Sequence, residues 1–364
     1  MVLHSANRTG YDYLGYAFLN RKIDVKDDPA TAMTNVPGGF YGLYLNSTNA
    51  GWWGWSQAKE NMRHGVGGPV PAERRILGTI EWVVERYKID RNRTYLAGVS
   101  MGGNGTLAIG MAHGDVFATV RATVPAGTGY ASYLAGGFAP SPAFDAFPEE
   151  RYAWVRRASG AGHADPLVIV DFSSPLDSWS ITQPALVQAA QAGHLPLVLT
   201  WGPFGHATFA SLIAKSLLCQ TGLEFPWLEI RKNEAYLVFT RATTDQRSPW
   251  LNATADFDDS GQMNAYFRWT NLADAPEEFS IHLWIAHPGV PQLAEPDSST
   301  ADVTLRRLQR FRIQPGIWYA WELAREGRVV ASGKVIPDGT GLLTIPRLTL
   351  TTAPAELSIR PRVK

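Results

Sequence analysis

Three residues of this chain have the types and surroundings that acyl transfer requires: Ser100, Asp177 and His206. A serine hydroxyl is a weak nucleophile at neutral pH. It needs a histidine to take its proton and a carboxylate to orient that histidine. Ser100 lies in Tyr95-Leu-Ala-Gly-Val-Ser-Met-Gly-Gly-Asn104, flanked by Gly98 and Gly102 in the pattern G-x-S-x-G. That pattern marks a sharp strand-to-helix turn, where a strained backbone leaves room only for small neighbours. The short pattern needs its context, and the context agrees. Thr94 to Val99 reads as an apolar strand, and a helix from Gly102 to about His113 follows. The positive end of that helix dipole points at the serine, where negative charge develops in acyl transfer.

The acid and the base are expected after later strands. Asp177 sits in Ser173-Ser-Pro-Leu-Asp177, just past an apolar run ending at Phe172. His206 sits in Trp201-Gly-Pro-Phe-Gly-His206, past the run ending near Thr200, and Gly205 lets that loop bend back. Asp171 is the rival acid, but it falls inside its strand, where a structural role is expected. Among the other histidines, His194 precedes its strand and His113 ends the helix after Ser100. His163 lies before a strand, and His282 and His287 fall in the C-terminal half. His64 could line a pocket. For each of these a packed or solvated ring is the expectation.

A tetrahedral intermediate needs N–H donors for its oxyanion, each worth roughly 3 kcal/mol. The residue after the nucleophile, Met101, should give one. The loop around Ser5 or Ala6, after the first visible strand, should give the other. Trp52, Trp53 and Trp55 in Gly51-Trp-Trp-Gly-Trp55 are candidates for an aromatic or sugar-binding wall, and equally for core packing. A reaction of this kind should fade below about pH 6, as the histidine becomes protonated.

Elements able to hold these residues alternate along the first 222 positions. Val2 to Ala6 reads as the end of a strand entering a loop that contains Asn7, Thr9 and Gly10, and Phe40–Leu45 reads as a second strand. Ile76, Leu77, Ile80, Val83, Val84 and Tyr87 recur at helical spacing behind Glu73. Ala118–Val124, Leu167–Phe172 and Leu195–Thr200 read as strands, with helices near Gln183–Ala192 and Ala207–Leu218. Near-continuous apolar strands alternating with helices predict a mostly parallel sheet sandwiched by helices. Gly127–Asp165 breaks the rhythm and is expected to form a cap or insertion. Past Gly222 the texture changes to short alternating strands and turns, as in Tyr236–Thr240, Phe279–Trp284 and Leu342–Ile345. This predicts a second, all-β domain over 223–364, an immunoglobulin/fibronectin-like sandwich.

Composition sets the bounds. At 364 residues, two domains are the natural expectation. Thirty-three basic and 33 acidic residues balance, and no basic stripe stands out, so nucleic acid is not an expected partner. No run approaches the roughly 18 apolar residues of a membrane helix. The single cysteine, Cys219, excludes an intrachain disulfide and a cysteine zinc site. Sequons at Asn7, Asn46, Asn92, Asn104 and Asn252 are read as accidental, since a glycan on Asn104 would obstruct Ser100. The start carries no signal-peptide pattern. It opens on Met1-Val-Leu-His4 like the tail of a strand, so a longer parent is expected and localisation is not read from this end; a bacterial, secreted parent is one candidate.

With Tyr87-Lys-Ile-Asp90 leading into Tyr95-Leu-Ala-Gly-Val-Ser-Met-Gly-Gly103, then Asp177 and Gly205-His206, the first 220 residues resemble serine esterases of the α/β-hydrolase superfamily. The likeness is strongest to the polyhydroxybutyrate-depolymerase and feruloyl-esterase type. Some likeness extends to prolyl-oligopeptidase-family hydrolases. The resemblance implies hydrolysis of carboxylic esters without metal or organic cofactor. The substrate would be a small molecule, with aromatic or plant-cell-wall esters among the candidates. One departure is His4-Ser5 where these families carry His-Gly in the first oxyanion loop. A peptidase with the same three residues, and a non-catalytic carbohydrate-binding protein on this scaffold, are the alternatives.

Overall fold

The computed structural model describes residues 1–5, 8–19, 38–47, 52, 71–125, 167–177, 180, 183–203, 205–206, 225–248, 260–287 and 293–362. The expected cap at 127–165, the helix near 207–218, and Trp53, Trp55, His64, His163 and Cys219 lie outside the described residues.

The first unit is built on a six-stranded sheet. Its strands are β1 (Val2–Leu3), β2 (Tyr95–Val99), β3 (Thr119–Thr123), β4 (Val168–Ser173), β5 (Leu197–Trp201) and β7 (Gly261–Met263), in that spatial order. The pairs from β1 to β5 are parallel, and β7 pairs antiparallel with β5. Both faces of β3, β4 and β5 are buried, which accounts for runs such as Val168-Ile-Val170 and Leu197-Val-Leu199 with no polar alternation. On one face lie α2 (Pro71–Tyr87), α3 (Met101–Ala112) and α4 (Gln183–Gly193), which place Ile76, Ile80, Leu107, Ile109, Leu186 and Val187 against Leu96, Val120, Ile169 and Leu199. A half-buried ion pair ties two of these helices. Glu73, in the first turn of α2, meets the ring of His113, which caps α3, at 2.5 Å.

On the second face, a strand forms part of the cover among the described residues. At β4 and β5 it is covered by β6 (Tyr236–Thr240) and by Phe225 and Ile230. The period of a strand explains how β6 serves two cores. Tyr236 and Val238 turn to Val168, Val170 and Val198, while Leu237 and Phe239 turn the other way.

That other side is a sandwich of two antiparallel sheets. One has the order β13 (Thr344–Thr351), β10 (Ser298–Arg306), β6. The other has the order β12 (Arg328–Val335), β11 (Tyr319–Arg325), β14 (Ala355–Pro361), β9 (Phe279–Ile285), β8 (Phe267–Asp274). Their inner faces share one core that includes Phe267, Phe279, Leu283, Val303, Leu305, Tyr319, Leu348 and Leu357. A single cut near residue 223 therefore does not separate the strands cleanly. β7 follows β6 in sequence yet completes the edge of the parallel sheet.

Two expectations near the start are corrected. Phe40–Leu45 is not a strand, because only Tyr44 forms a bridge, with Val2. The stretch read as a loop after Thr9 is helix α1 (Gly10–Leu19). Its start is a reciprocal cap. The Asp12 N–H donates to Thr9 Oγ1 at 3.2 Å, and the Thr9 N–H donates to Asp12 Oδ2 at 2.6 Å.

Candidate active site

Ser100 stands between the end of β2 and the first residue of α3, with φ 58° and ψ −116°. A non-glycine residue held there costs on the order of 1–3 kcal/mol and persists only where its surroundings enforce it. The enforcement is visible. The Ser100 N–H donates to Thr123 O on β3 at 2.9 Å, and its carbonyl accepts the Asn104 N–H at 2.9 Å. Flanking side chains have no room. A Cβ on Gly98 would lie 2.3 Å from Gly102 O, and one on Gly102 would lie 2.1 Å from Leu3 O. The glycines of the pattern thus allow β1, β2 and α3 to meet at the serine.

The Ser100 hydroxyl lies 2.8 Å from His206 Nε2, and His206 Nδ1 lies 2.6 Å from Asp177 Oδ2. With its Nδ1–H donated to Asp177, His206 keeps Nε2 as the acceptor for the serine proton. The Asp177 side chain is fully buried, whereas that of His206 is 27% exposed, so the base faces solvent where the acid does not. A tight turn after β4 holds Asp177. Its N–H donates to Ser174 O at 3.1 Å, and Ser180 Oγ lies 2.5 Å from Ser174 O and 2.8 Å from Asp177 O.

Asp171, the rival acid, is occupied elsewhere. Ser173 Oγ donates to its Oδ1 at 2.6 Å, and Gln183 Nε2 donates to its Oδ2 at 2.6 Å. Burial pushes its carboxyl up to about 6, against the pull of both hydrogen bonds. Gln183, at the start of α4, and Ser180 carried no motif that would single them out from the sequence.

The N–H of Met101 opens α3 and has no acceptor within its own helix, as at any helix start. Ser5 also lies close by, since Leu3 O and His4 O both crowd Gly102. The Ser5 N–H, however, donates to the Tyr13 hydroxyl at 3.1 Å. The preceding residue, His4, is buried and doubly engaged. Its Nε2 accepts the Ser47 N–H at 3.0 Å, so the ring is neutral with its proton on Nδ1, 2.8 Å from Ser5 O. Burial lowers the His4 pKa further than the Ser5 carbonyl and Asp12 raise it, and Arg75 adds to the lowering.

Trp52 takes the packing alternative and is corrected as a substrate-binding residue. It is fully buried in the core beside Leu3, its Nε1–H donates to His4 O at 2.8 Å, and its ring meets the His4 ring edge-on at 4.7 Å. The remaining described histidines have local partners too. His194 lies 2.8 Å from Thr304 Oγ1, and His287 lies 2.7 Å from Pro296 O. Among the described residues no three His, Cys, Asp or Glu side chains gather as metal ligands. No described helix is long and apolar enough to cross a membrane.

No protein-family model matches the sequence, and no curated protein is similar enough to match. Solved structures give distant likenesses. An S-formylglutathione hydrolase from Staphylococcus aureus is 18% identical over 60% of this chain and 78% of its own, with a TM-score of 0.39. The fluorophosphonate-binding serine hydrolase FphF of the same organism is 15% identical over 60% and 82%, with a TM-score of 0.41. A ferulic acid esterase is 16% identical over 60% and 82%, with a TM-score of 0.36. At such distance neither fold nor reaction carries over, and the architecture stands on this chain's own strand order and hydrogen bonds.

Proposed function

We propose that this chain is a serine hydrolase of the α/β-hydrolase type that cleaves carboxylic esters through an acyl-enzyme on Ser100. The observation that carries this reading is the hydrogen-bonded line from Ser100 Oγ through His206 to Asp177, assembled from three separate loops at one end of a parallel sheet.

In the first half-reaction Ser100 Oγ attacks the ester carbonyl carbon while His206 Nε2 takes the hydroxyl proton. The tetrahedral oxyanion collapses, the carbon–oxygen bond to the alcohol breaks, and His206 returns the proton to the leaving alkoxide. In the second, water attacks the acyl-serine, with His206 again accepting the proton and then giving it back to Ser100. Asp177 keeps the Nδ1–H tautomer and stabilises the imidazolium. Met101 N–H is the first oxyanion donor and Ser5 N–H the second. For Ser5 this requires exchanging the Tyr13 hydroxyl for the substrate oxygen. Small or aryl esters are the substrate class of this reading, and the immunoglobulin/fibronectin-like description of the sandwich belongs to it too.

Initial rates on p-nitrophenyl acetate, p-nitrophenyl butyrate and a feruloyl ester, with wild type beside Ser100→Ala, test it. Turnover by wild type that falls to background in the variant is the expected result, and the ratio of the three rates defines the acyl site. Equal rates in both proteins would remove Ser100 from the reaction.

A further inference from the structure

The central sheet ends in the row Ser173–Trp201–Gly261, one residue from each of three neighbouring strands. Ser173 ends β4 and leads to Asp177. Trp201 ends β5 and leads through Gly202 and Pro203 to His206. Gly261 opens β7, which the chain supplies only after entering the sandwich. The base loop thus leaves the sheet beside a strand from the C-terminal half, and the acid loop leaves one strand further in.

The contact across that edge is close. The indole of Trp201, 1% exposed, lies against the Gly261 Cα. A Cβ there would stand 2.3 Å from Cζ2, 2.5 Å from Cε2 and 2.8 Å from Nε1 of the ring. Gly261 does not have a left-handed φ, so the ring and not the backbone requires glycine. β7 in turn is fixed by the C-terminal half. The Gln262 N–H donates to Gln246 Oε1 at 3.0 Å, Gln262 Nε2 to Thr244 O at 2.7 Å, and the Asn264 N–H to Asp245 Oδ1 at 2.8 Å. Asn264 Nδ2 then reaches both units, donating to Leu197 O at the start of β5 and to Phe239 O on β6, each at 3.0 Å.

We propose that Gly261 and Trp201 are positioning residues for His206. Through this ring-on-backbone contact the C-terminal half sets the point from which the histidine loop leaves β5. The inference rests on the reading of Ser100, Asp177 and His206 given above. It makes the sandwich a working part of the site.

The molecule contains its own control. Trp321, which is half-buried, and Gly333 form a similar but looser cross-strand pair in the sandwich, where a Cβ on Gly333 would stand 2.8 Å from Trp321 Nε1. That sheet carries no residue of the proposed site.

The experiment compares Gly261→Ala, Gly333→Ala and the double variant Gly261→Ala/Trp201→Phe with wild type, in the full chain. It reads kcat and KM on p-nitrophenyl butyrate, the rate of covalent labelling by a fluorophosphonate, the thermal midpoint, and the downfield proton resonance of His206 Nδ1–H, assigned by its loss in Asp177→Asn. Gly261→Ala should lower kcat and labelling about 10-fold or more with little change in KM, because sub-ångström misplacement of a base is costly. It should also shift or broaden the resonance. Gly333→Ala should change none of these beyond about twofold, and the smaller ring in the double variant should restore part of the loss. Equal behaviour of the two alanine variants, or a loss that tracks only the folded fraction with an unmoved resonance, overturns the proposal. If wild type fails to turn over ester, the resonance alone decides. A shift confined to Gly261→Ala then upholds the positioning role while the ester reading falls, and no shift removes it.

Discussion

Asp171 lies within β4 and Asp177 in the turn that follows it, yet Asp177 Oδ2 stands 2.6 Å from His206 Nδ1 while Asp171 bonds Ser173 and Gln183. Two carboxylates in one segment are thereby given different work by their neighbours. Asp177→Asn should lower kcat by about 10⁴-fold, because an amide facing Nδ1 favours the wrong tautomer. Asp171→Asn should keep activity within about tenfold, since it disturbs one buried hydrogen-bond set away from the imidazole. Steady-state rates on p-nitrophenyl butyrate separate the two. A larger loss in Asp171→Asn would reverse the assignment.

Ser5 offers a second contrast. Ser5→Pro deletes the N–H that we assign to the oxyanion and should lower kcat by about 10²-fold or more with folding retained by circular dichroism. Tyr13→Phe removes the competing acceptor of that N–H, so kcat should rise by roughly two- to fivefold, a fraction of one hydrogen bond. A fall in kcat for Tyr13→Phe would instead give the hydroxyl a direct part in holding the loop.

His113 and His4 contribute stability that is lost on opposite sides of neutrality. Burial alone would lower the His113 pKa, but Asp115 and Glu73 overcome it and raise the group to about 9. A raised histidine adds stability that is whole below its unfolded value of 6.5 and is lost as pH climbs through about 9, amounting to ~3 kcal/mol at most. His4 has the other sign. Its pKa is lowered by burial, so the stability of its neutral form is present above 6.5 and is lost as pH falls through the folded value. Urea unfolding from pH 7 to 10 should show the alkaline limb. His113→Gln should flatten the alkaline limb alone, and an unchanged alkaline slope in that variant would refute the ion pair's contribution.

The parts of this molecule that were legible in the sequence are those enforced locally. The turn at Ser100 needs Gly98 and Gly102, and the apolar runs of β4 and β5 need burial on both faces. The parts that were not legible depend on distant partners. β10 was missed because the buried Asp302 within it is satisfied from elsewhere, accepting from Arg241 Nε at 2.5 Å and from the Arg347 N–H at 2.9 Å. β7 is only three residues long and makes sense solely against Trp201. Helix α1 had a readable signal in Thr9 and Asp12, a reciprocal cap with aspartate in place of the usual glutamate.

Trp52 provides the sharpest check on where substrate does and does not bind. Its ring is wholly inside the core, so Trp52→Phe should leave KM for feruloyl and butyrate esters within about twofold, as for a residue that never meets substrate. The same change removes the indole N–H that satisfies His4 O and leaves that carbonyl buried, at a cost of about 1–3 kcal/mol of folding stability. Because His4 O precedes the Ser5 N–H, kcat should drop modestly in parallel, by roughly threefold, through a looser oxyanion loop. Thermal unfolding beside steady-state kinetics on both esters reads all three effects. A KM that rises severalfold for the feruloyl ester alone, with stability unchanged, would return Trp52 to the substrate wall.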